Sequence, residues 1–387
     1  MLWPIPTLTL AERPERLRLG IWLPIIAVIA GICVGAVLLL WPHGKSTDGA
    51  SFWLLVAGVP ICVCGLLFGL LLMQWERQML VAEESEREIA RVTSLWRDWT
   101  RRRVDVLRAV AFLPTTATAQ QIVDADPMTP VNPLRPVGFM WAENQDARFR
   151  RETLLGLIAD RFAKDLAKLS AVEVLLILDD ASRESEADWV AGAKRALEAV
   201  APNATLHASV VQQDVGLQWL EAHVDTKDAP TTLVIAVNLW PDSGNRTYSE
   251  GGAALLLVSP TGDSDAAAGR LYRPMVSQGD ALANDLRQVT DMQIRPGRLS
   301  QVLVTAMQSA EMESISTAWA DAGRDRPTEV QVDDVLGLPG PVSGWVALGI
   351  ALETEGPEHG PRLVVWREPN GDVVLMCAVS PVQSKEV

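Results

Sequence analysis

Two long apolar runs near the start of the chain predict a pair of membrane-spanning helices. Residues Ile21 to Trp41 and Phe52 to Met73 contain no charged side chain, and each run is long enough to cross a hydrocarbon core of roughly 30 Å as a helix. We therefore expect a flank over residues 1–20 and a transmembrane helical hairpin over residues 21–74. A cleaved signal peptide followed by a buried helix is the alternative, but the first run is too long for a signal-peptide core.

Positive charges around the two runs predict their orientation. Lys45 is the one lysine or arginine in the turn between the runs, whereas three arginines precede the first run and three follow the second: Arg13, Arg16, Arg18, Arg77, Arg87 and Arg91. Because Lys and Arg concentrate on the cytoplasmic side of a membrane, both termini and the main domain are expected in the cytoplasm. The hairpin would then cross a bacterial inner membrane and contact the lipid bilayer.

A helical period continues after the second run. Residues Glu76 to Arg108 contain no Gly or Pro, and five apolar side chains share one helical face: Ile89, Val92, Leu95, Trp96 and Trp99. The pattern predicts an amphipathic juxtamembrane helix over residues 75–113 that packs on the chain's own domain, with a short coiled coil as the alternative. Arg101 to Arg103 would be a solvated helix end or a contact with anionic lipid. Five prolines in residues 114–136 indicate an extended linker.

Helical and strand periodicities alternate from Arg148 onward, which is typical of an α/β domain. Predicted helices are 150–169, 186–200, 213–224, 280–290, 308–321 and 342–353. Predicted strands are 172–178, 205–211, 231–239, 253–259, 301–305, 362–367 and 372–379. Asn370-Gly371 is a strong turn signal between the last two strands. Each half of this pattern alternates strands with helices and ends in a strand pair, so we expect a layered fold built by duplication.

Composition excludes several function classes. Acidic residues outnumber basic ones by 48 to 34, and the net charge of −14 disfavours nucleic acid, which rewards clustered Lys and Arg. Three of the four cysteines lie in the apolar runs and the fourth, Cys377, lies in a predicted strand. The four histidines have no metal-ligand spacing, so no metal, cofactor or disulfide framework is expected.

Three glycine-containing segments stand out in the α/β region. Gly216 to Ala222 follows a predicted strand, Ser249 to Leu257 reads SEGGAALLL, and Leu336 to Trp345 reads LGLPGPVSGW. In this order they resemble the nucleophile-bearing helix, the strand that closes the first half, and the Gly-rich histidine loop of the thiolase-like superfamily, in particular the β-ketoacyl synthases. The family-like positions are Ser249, Glu250, Gly251, Gly252, Gly337, Gly340 and Gly344. The resemblance implies a layered thiolase-like αβαβα domain of two repeated halves over residues 137–387.

The catalytic groups that this resemblance implies are missing. β-Ketoacyl synthases need a cysteine at a helix N-terminus and two polar bases. Gln213 occupies the nucleophile position and Leu338 occupies the position of the loop histidine. His207 and His223 lie near the nucleophile helix in sequence, but each is more readily an ordinary surface or core residue.

Two acidic sites elsewhere are candidates for a catalytic acid and base. Glu250 is more readily a turn-capping carboxylate, and Asp333-Asp334 is more readily a solvated strand end. The sequence therefore predicts a pseudoenzyme without catalytic residues.

The layout of the chain also resembles accessory proteins encoded with type VI secretion lipase effectors. That layout combines a membrane hairpin, a Trp-rich helix before an arginine cluster, and a catalytically silent α/β domain. The first hypothesis is therefore an inactive domain that acts as an adaptor or scaffold for a protein partner, with a secreted effector as the specific case. An enzyme that acts on acyl thioesters at the membrane is the second. A homodimer formed through the strand Thr205 to Val211 is compatible with the first.

Overall fold

The computed structural model describes residues 9–42, 47–242, 246–259, 267–294, 298–320, 326–354, 360–368, 371 and 373–381, and leaves the side chains of residues 19, 213–215 and 279 undescribed. Two compact units divide the chain, one over residues 6–95 and one over residues 96–387 together with residues 1–5. Lys45 and Asn370, both used in the sequence analysis, lie outside the described residues.

The first unit is a helical hairpin. Helix α1 covers Leu19–Leu40, and helix α2 covers Ala50–Thr100 and so continues into the second unit. Both are long and apolar enough to cross a membrane. Within the unit, the Cys64 thiol donates to the carbonyl of Ile26, and Arg13 forms an ion pair with Glu86 at 2.6 Å. The prediction of two candidate membrane spans is confirmed.

The predicted helix over residues 75–113 is wrong at its C-terminal end. Helix α2 ends at Thr100, and Arg103–Phe112 forms strand β1, which pairs with a strand on each of its edges. No Gly or Pro separates the two elements, so the sequence contained no local stop signal. Val104 and Val106 alternate as in a strand and lie in the core. Pairing on both edges therefore overrides the helical reading.

The predicted linker over residues 114–136 is also corrected. Helix α3, Ala119–Val123, lies inside it and begins at a capping box formed by Thr118 and Gln121. Ile122 and Val123 are buried in the core. The second unit thus begins at Trp96, 41 residues before the predicted boundary at 137, because β1 and α3 belong to its core.

The remaining elements of the second unit include every helix and strand predicted from residue 150 onward, together with two four-residue helices and three four-residue strands that were not predicted. The helices are α4 (Ala147–Leu166), α5 (Asp180–Arg183), α6 (Glu186–Val200), α7 (Gln213–Asp225), α8 (Leu282–Gln293), α9 (Ser309–Ala320), α10 (Asp333–Leu336) and α11 (Ser343–Glu353). The strands are β2 (Ala171–Leu178), β3 (Thr205–Gln212), β4 (Thr232–Asn238), β5 (Gly251–Val258), β6 (Gly269–Tyr272), β7 (Met275–Gln278), β8 (Gln301–Thr305), β9 (Thr328–Gln331), β10 (Arg362–Arg367) and β11 (Val373–Pro381).

The order of the strands shows two repeated halves. From one end, the sheet runs β3-β2-β4-β5-β1 and continues as β6-β11-β10-β8-β9, with β7 paired to β11. Counted by rank along the chain, and without β7, each half has the order 3-2-4-5-1 from its outer edge inward. The antiparallel pair of β1 with β6 joins the halves. Each half ends in an antiparallel strand pair, β4 with β5 and β10 with β11, as predicted.

Three hydrophobic clusters show how the layers are arranged. One cluster packs α4 and α6 on the outer face of the first half, and another packs α8 and α9 on the outer face of the second. The third contains α3, α7 and α11 between strands of both halves. This is the αβαβα layering that the resemblance implied.

Arg101 and Arg102 of the arginine cluster are exposed, as predicted, and they also contact the domain. Arg101 donates to the carbonyl of Met292 at 2.8 Å, and Arg102 forms an ion pair with Asp225 at 2.6 Å. Buried Arg273 pairs with Asp225 as well and lies over the Trp99 ring, 4.3 Å from its centroid. The end of α2 is therefore fixed to helix α7 by charge and stacking.

Candidate functional site

A recess lies where strands from both halves end. It encloses about 320 Å³, including space open to solvent. Asn238 ends β4, Thr305 ends β8, and the loop before α11 closes one side. Its lining residues are Asn238, Ser249, Glu250, Gly251, Thr305, Val332, Asp333, Leu336, Gly337, Leu338, Pro339, Gly340, Ser343 and Val346. The structure therefore brings together five of the seven family-like positions: Ser249, Glu250, Gly251, Gly337 and Gly340.

The glycine-rich loop is closely packed and closes one side of the recess. Gly337 has φ +85°, and a Cβ there would lie 2.1 Å from the carbonyl oxygen of Arg135. Leu338 donates its N–H to that same carbonyl at 3.0 Å and accepts from the N–H of Ser249 at 2.8 Å. Only glycine fits this left-handed, crowded position. The loop is thus attached to the first half through backbone hydrogen bonds.

The other glycines of the motif allow close packing. A Cβ on Gly340 would lie 2.2 Å from Nδ2 of Asn238, whose Oδ1 accepts the N–H of Val342 at 3.0 Å. A Cβ on Gly344 would lie 2.4 Å from Nε1 of Trp366. Gly252 lies inside β5, beside β4, and away from the recess lining. Three of the five family-like glycines, Gly337, Gly340 and Gly344, therefore allow close packing, and this packing sets the shape of the recess.

Glu250 is a buried structural carboxylate. Its Oε1 accepts from Nη1 of Arg150 at 2.5 Å and from the N–H of Trp240 at 2.9 Å, and its Oε2 accepts from the N–H of Phe139 at 2.8 Å. The predicted turn-capping role is correct as far as the two backbone bonds go. The ion pair with Arg150 was not predicted. Three donors occupy the carboxylate, so it has little capacity left to act as a base.

Asp333 differs from its predicted role as a solvated strand end. Its carboxylate accepts from the Thr305 hydroxyl at 2.5 Å and from the N–H of Ala306 at 2.7 Å. Burial raises the pKa of Asp333 to about 6, although the bond from Thr305 opposes the shift. The adjacent Asp334 is exposed, as predicted. The sequence therefore did not reveal that the Asp333 carboxylate is partly removed from solvent.

Gln213 and Leu338 occupy the positions that the resemblance assigns to the catalytic cysteine and histidine. Gln213 begins α7 directly after β3, where the nucleophile-bearing helix was predicted, and its side chain lies outside the described residues. Leu338 lines the recess and is half-buried. The loop position that the resemblance assigns to histidine thus presents an aliphatic side chain.

Cys377, His207 and His223 lie away from the recess lining. Cys377 is buried in β11, its thiol donates to the carbonyl of Tyr272 at 3.2 Å, and burial raises its pKa, which disfavours the thiolate. His223 is buried and stacks on Trp219 with 4.6 Å between ring centroids, and burial lowers its pKa. His207 lies in β3. Among the described residues that line the recess, none is Cys, His or Lys.

Sequence reasoning missed Asn238, Thr305 and Arg150. Asn238 and Thr305 each end an apolar strand, and a polar residue at the carboxyl end of a buried strand is a usable signal for a site in an α/β sheet. Arg150 had no comparable signal, because its partner Glu250 is a hundred residues away.

Comparisons with known proteins identify the fold. No protein-family model matches the sequence, and no curated protein matches it. Solved structures do match. A type II polyketide acyl-carrier protein in complex with its ketosynthase aligns with a TM-score of 0.51 and 15% identity, over 73% of this chain and 100% of that chain. The ketosynthase of module 6 of the bacillaene synthase from Bacillus subtilis 168 aligns with a TM-score of 0.50 and 14% identity, over 73% of each chain.

A third structure, a keto synthase–chain length factor, aligns with a TM-score of 0.51 and 10% identity. That alignment covers 74% of this chain and 44% of the other. At such identities the likeness establishes the fold. The second unit therefore has the thiolase-like fold that the three sequence segments implied.

Proposed function

We propose that this protein is a membrane-anchored adaptor or scaffold whose thiolase-like domain binds a protein partner and is catalytically inactive. The observation that carries the proposal is the chemistry of the recess. Glu250 is occupied by three donors and Asp333 by two, while Leu338 fills the position of a base. A domain of this fold that lacks a nucleophile and its base retains a rigid body and a broad surface for binding.

The two candidate spans supply the anchor in this proposal. The arginines on the outer flanks support an orientation with the termini and the main domain in the cytoplasm and the hairpin in a bacterial inner membrane. Fixing the domain at a bilayer raises the local concentration of any partner that also visits that membrane. A secreted effector of the type VI lipase class is the partner that the chain layout suggests.

A protein partner suits this fold. One of the aligned structures is a ketosynthase held in a complex with its acyl-carrier protein, so in that protein a domain of this fold docks another protein. Strand β3 lies at the end of the sheet path, with alternate residues exposed. This edge is where the proposed homodimer would form by strand pairing.

A membrane enzyme that acts on acyl thioesters is the second candidate. Asp333 favours it, because a carboxyl with a pKa of about 6 can exchange a proton near neutral pH. Ser343 supplies a hydroxyl to the same recess. The described lining offers no His or Lys to activate that hydroxyl, so we place this function second.

The experiment is an affinity purification of the full chain from its native membranes, with the co-purified proteins identified by mass spectrometry. The control is a chain in which residues 96–387 are replaced by an unrelated soluble domain, which keeps the hairpin. The proposal expects one specific protein with the full chain and none with the control. Equal recovery from both, or a full chain that recovers nothing, contradicts it.

A further inference from the structure

An unusual ridge crosses the surface between α3 and α4. Pro127, Pro130, Pro133 and Pro136 recur every third residue, and Met128, Val131 and Leu134 each follow a proline. We call residues 127–136 the prolyl ridge.

The apolar side chains of the prolyl ridge point away from the core. Met128 is 86% exposed, Val131 67% and Leu134 84%. In the second unit, the other exposed large apolar side chains among the described residues, apart from Met140, have less than half of their surface exposed. Leu134 also adopts a φ of +57°, which is unfavourable for a side chain that buries nothing here. A cluster of apolar surface held in this way marks a contact site.

The backbone beneath these side chains is held firmly. Thr129 is buried, Asn132 donates its N–H to the carbonyl of Asp334 at 2.7 Å, and its side-chain amide donates to the carbonyl of Val335 at 2.9 Å. The carbonyl of Arg135 accepts from Leu338. Thr129 and Asn132 thus face the domain, and the prolines restrict φ along the ridge. A partner would pay little conformational entropy to bind such a surface.

Charges at the two ends of the prolyl ridge specify the partner further. Asp126, at one end, accepts the N–H of Met128. The exposed guanidinium of Arg135 follows Leu134 at the other end. Anionic lipid headgroups would attract Arg135 but repel the carboxylate of Asp126. A protein groove can satisfy both ends at once.

We propose that the prolyl ridge is the docking surface for the protein partner, and this inference rests on the proposed function. The partner presents an apolar groove that receives Met128, Val131 and Leu134. A Lys or Arg borders the groove at the Met128 end, and an Asp or Glu borders it at the Leu134 end. Grooves that accept proline-rich segments recognise such a surface by shape and by an oriented charge.

The test is site-specific photocrosslinking of the full chain in native membranes. Benzoylphenylalanine replaces Val131 in one variant and Val276 in the control, because Val276 is an exposed valine on β7. We expect the yield of crosslinks to one protein to be about tenfold higher at position 131 than at position 276. The crosslinked site on that protein should lie in an apolar surface that carries Lys or Arg. Arg135→Glu, which reverses the charge at the Leu134 end, should lower that yield by a similar factor. Equal yields at both positions, or crosslinks only to lipid or to a second copy of this chain, overturn it.

A second variant separates this inference from the proposed function. Met128→Ser, Val131→Ser and Leu134→Ser together remove the apolar ridge at exposed positions, and an unchanged unfolding midpoint would show that the domain is intact. Loss of the co-purified partner supports the inference. A partner retained by the triple variant leaves the adaptor function standing and overturns the ridge as its site. A wild-type chain without any partner contradicts the proposed function itself.

Discussion

The guanidinium of Arg150 donates to the carboxylate of Glu250 across 2.5 Å, with both side chains almost completely buried. This pair ties helix α4 to the residue that precedes strand β5. Removing one partner of a buried ion pair leaves a charge without compensation, which costs about 3–5 kcal/mol. Glu250→Ala should lower the free energy of unfolding by that amount in urea titrations of the detergent-solubilised chain.

The matched control for this pair lies on the same helix. Arg148 pairs with Glu152 at 3.0 Å, and both side chains are substantially exposed. Arg148→Ala should change the free energy of unfolding by less than about 0.5 kcal/mol. Equal effects of the two substitutions would show that Glu250 is not a structural carboxylate.

A second prediction concerns the loop glycine with φ +85°. Gly337→Ala places a Cβ against the carbonyl of Arg135 in a backbone region that L-residues avoid, so we expect a loss of about 3 kcal/mol or more. Gly156→Ala is the control, because Gly156 lies inside α4 and a Cβ there meets nothing within 4 Å. That substitution should be neutral or stabilise by up to about 1 kcal/mol. Thermal unfolding of both variants distinguishes the two cases.

A third prediction follows from the raised pKa of Asp333. Below pH 4 the group is protonated in both the folded and the unfolded state, whereas between pH 4 and 6 the folded state binds more protons. The free energy of unfolding of the wild type should therefore fall by about 2–3 kcal/mol relative to Asp333→Asn as the pH rises through that window. Because the Thr305 hydroxyl lowers this pKa, Thr305→Val should move the pH midpoint of this stability change upward. An unchanged difference between pH 4 and 7 would contradict the burial of Asp333.

The fourth prediction concerns where the domain begins. A fragment over residues 96–387 retains β1 and α3 and should unfold cooperatively. A fragment over residues 137–387 lacks β1, which pairs with β5 and β6 in the middle of the sheet, and should not fold. Circular dichroism and size-exclusion chromatography of the two fragments test this boundary. Cooperative unfolding of the shorter fragment would refute it.

The boundary also shows how far the sequence could predict the fold. Strands with continuous apolar runs, such as Thr232–Asn238, were predicted to within one or two residues, because burial on both faces leaves a clear local pattern. Strand β1 carries Asp105 and Arg108 between its valines, and this mixture fits a helix equally well. Its conformation depends on pairing with β5 and β6, distant in sequence. No local pattern records that pairing.

The features of the site also fall into those that local sequence reveals and those that it does not. Glycines with a steric requirement, Gly337 above all, could be identified from the motif. The partners of Glu250 and Asp333 could not, since Arg150 and Thr305 meet them only after the layers assemble. Local sequence thus identified the glycines that shape the recess, and tertiary structure determined its electrostatics.

The most direct test of the account is the chemistry of the recess itself. The full chain in detergent would be incubated with acetyl-CoA and with malonyl-CoA, and intact-mass spectra would be recorded together with the release of free CoA. We predict an unchanged mass and no release of CoA above the rate without protein, because no activated nucleophile lines the recess. A stable acyl adduct on Ser343, Ser249 or Cys377 would contradict the account and establish the domain as an enzyme.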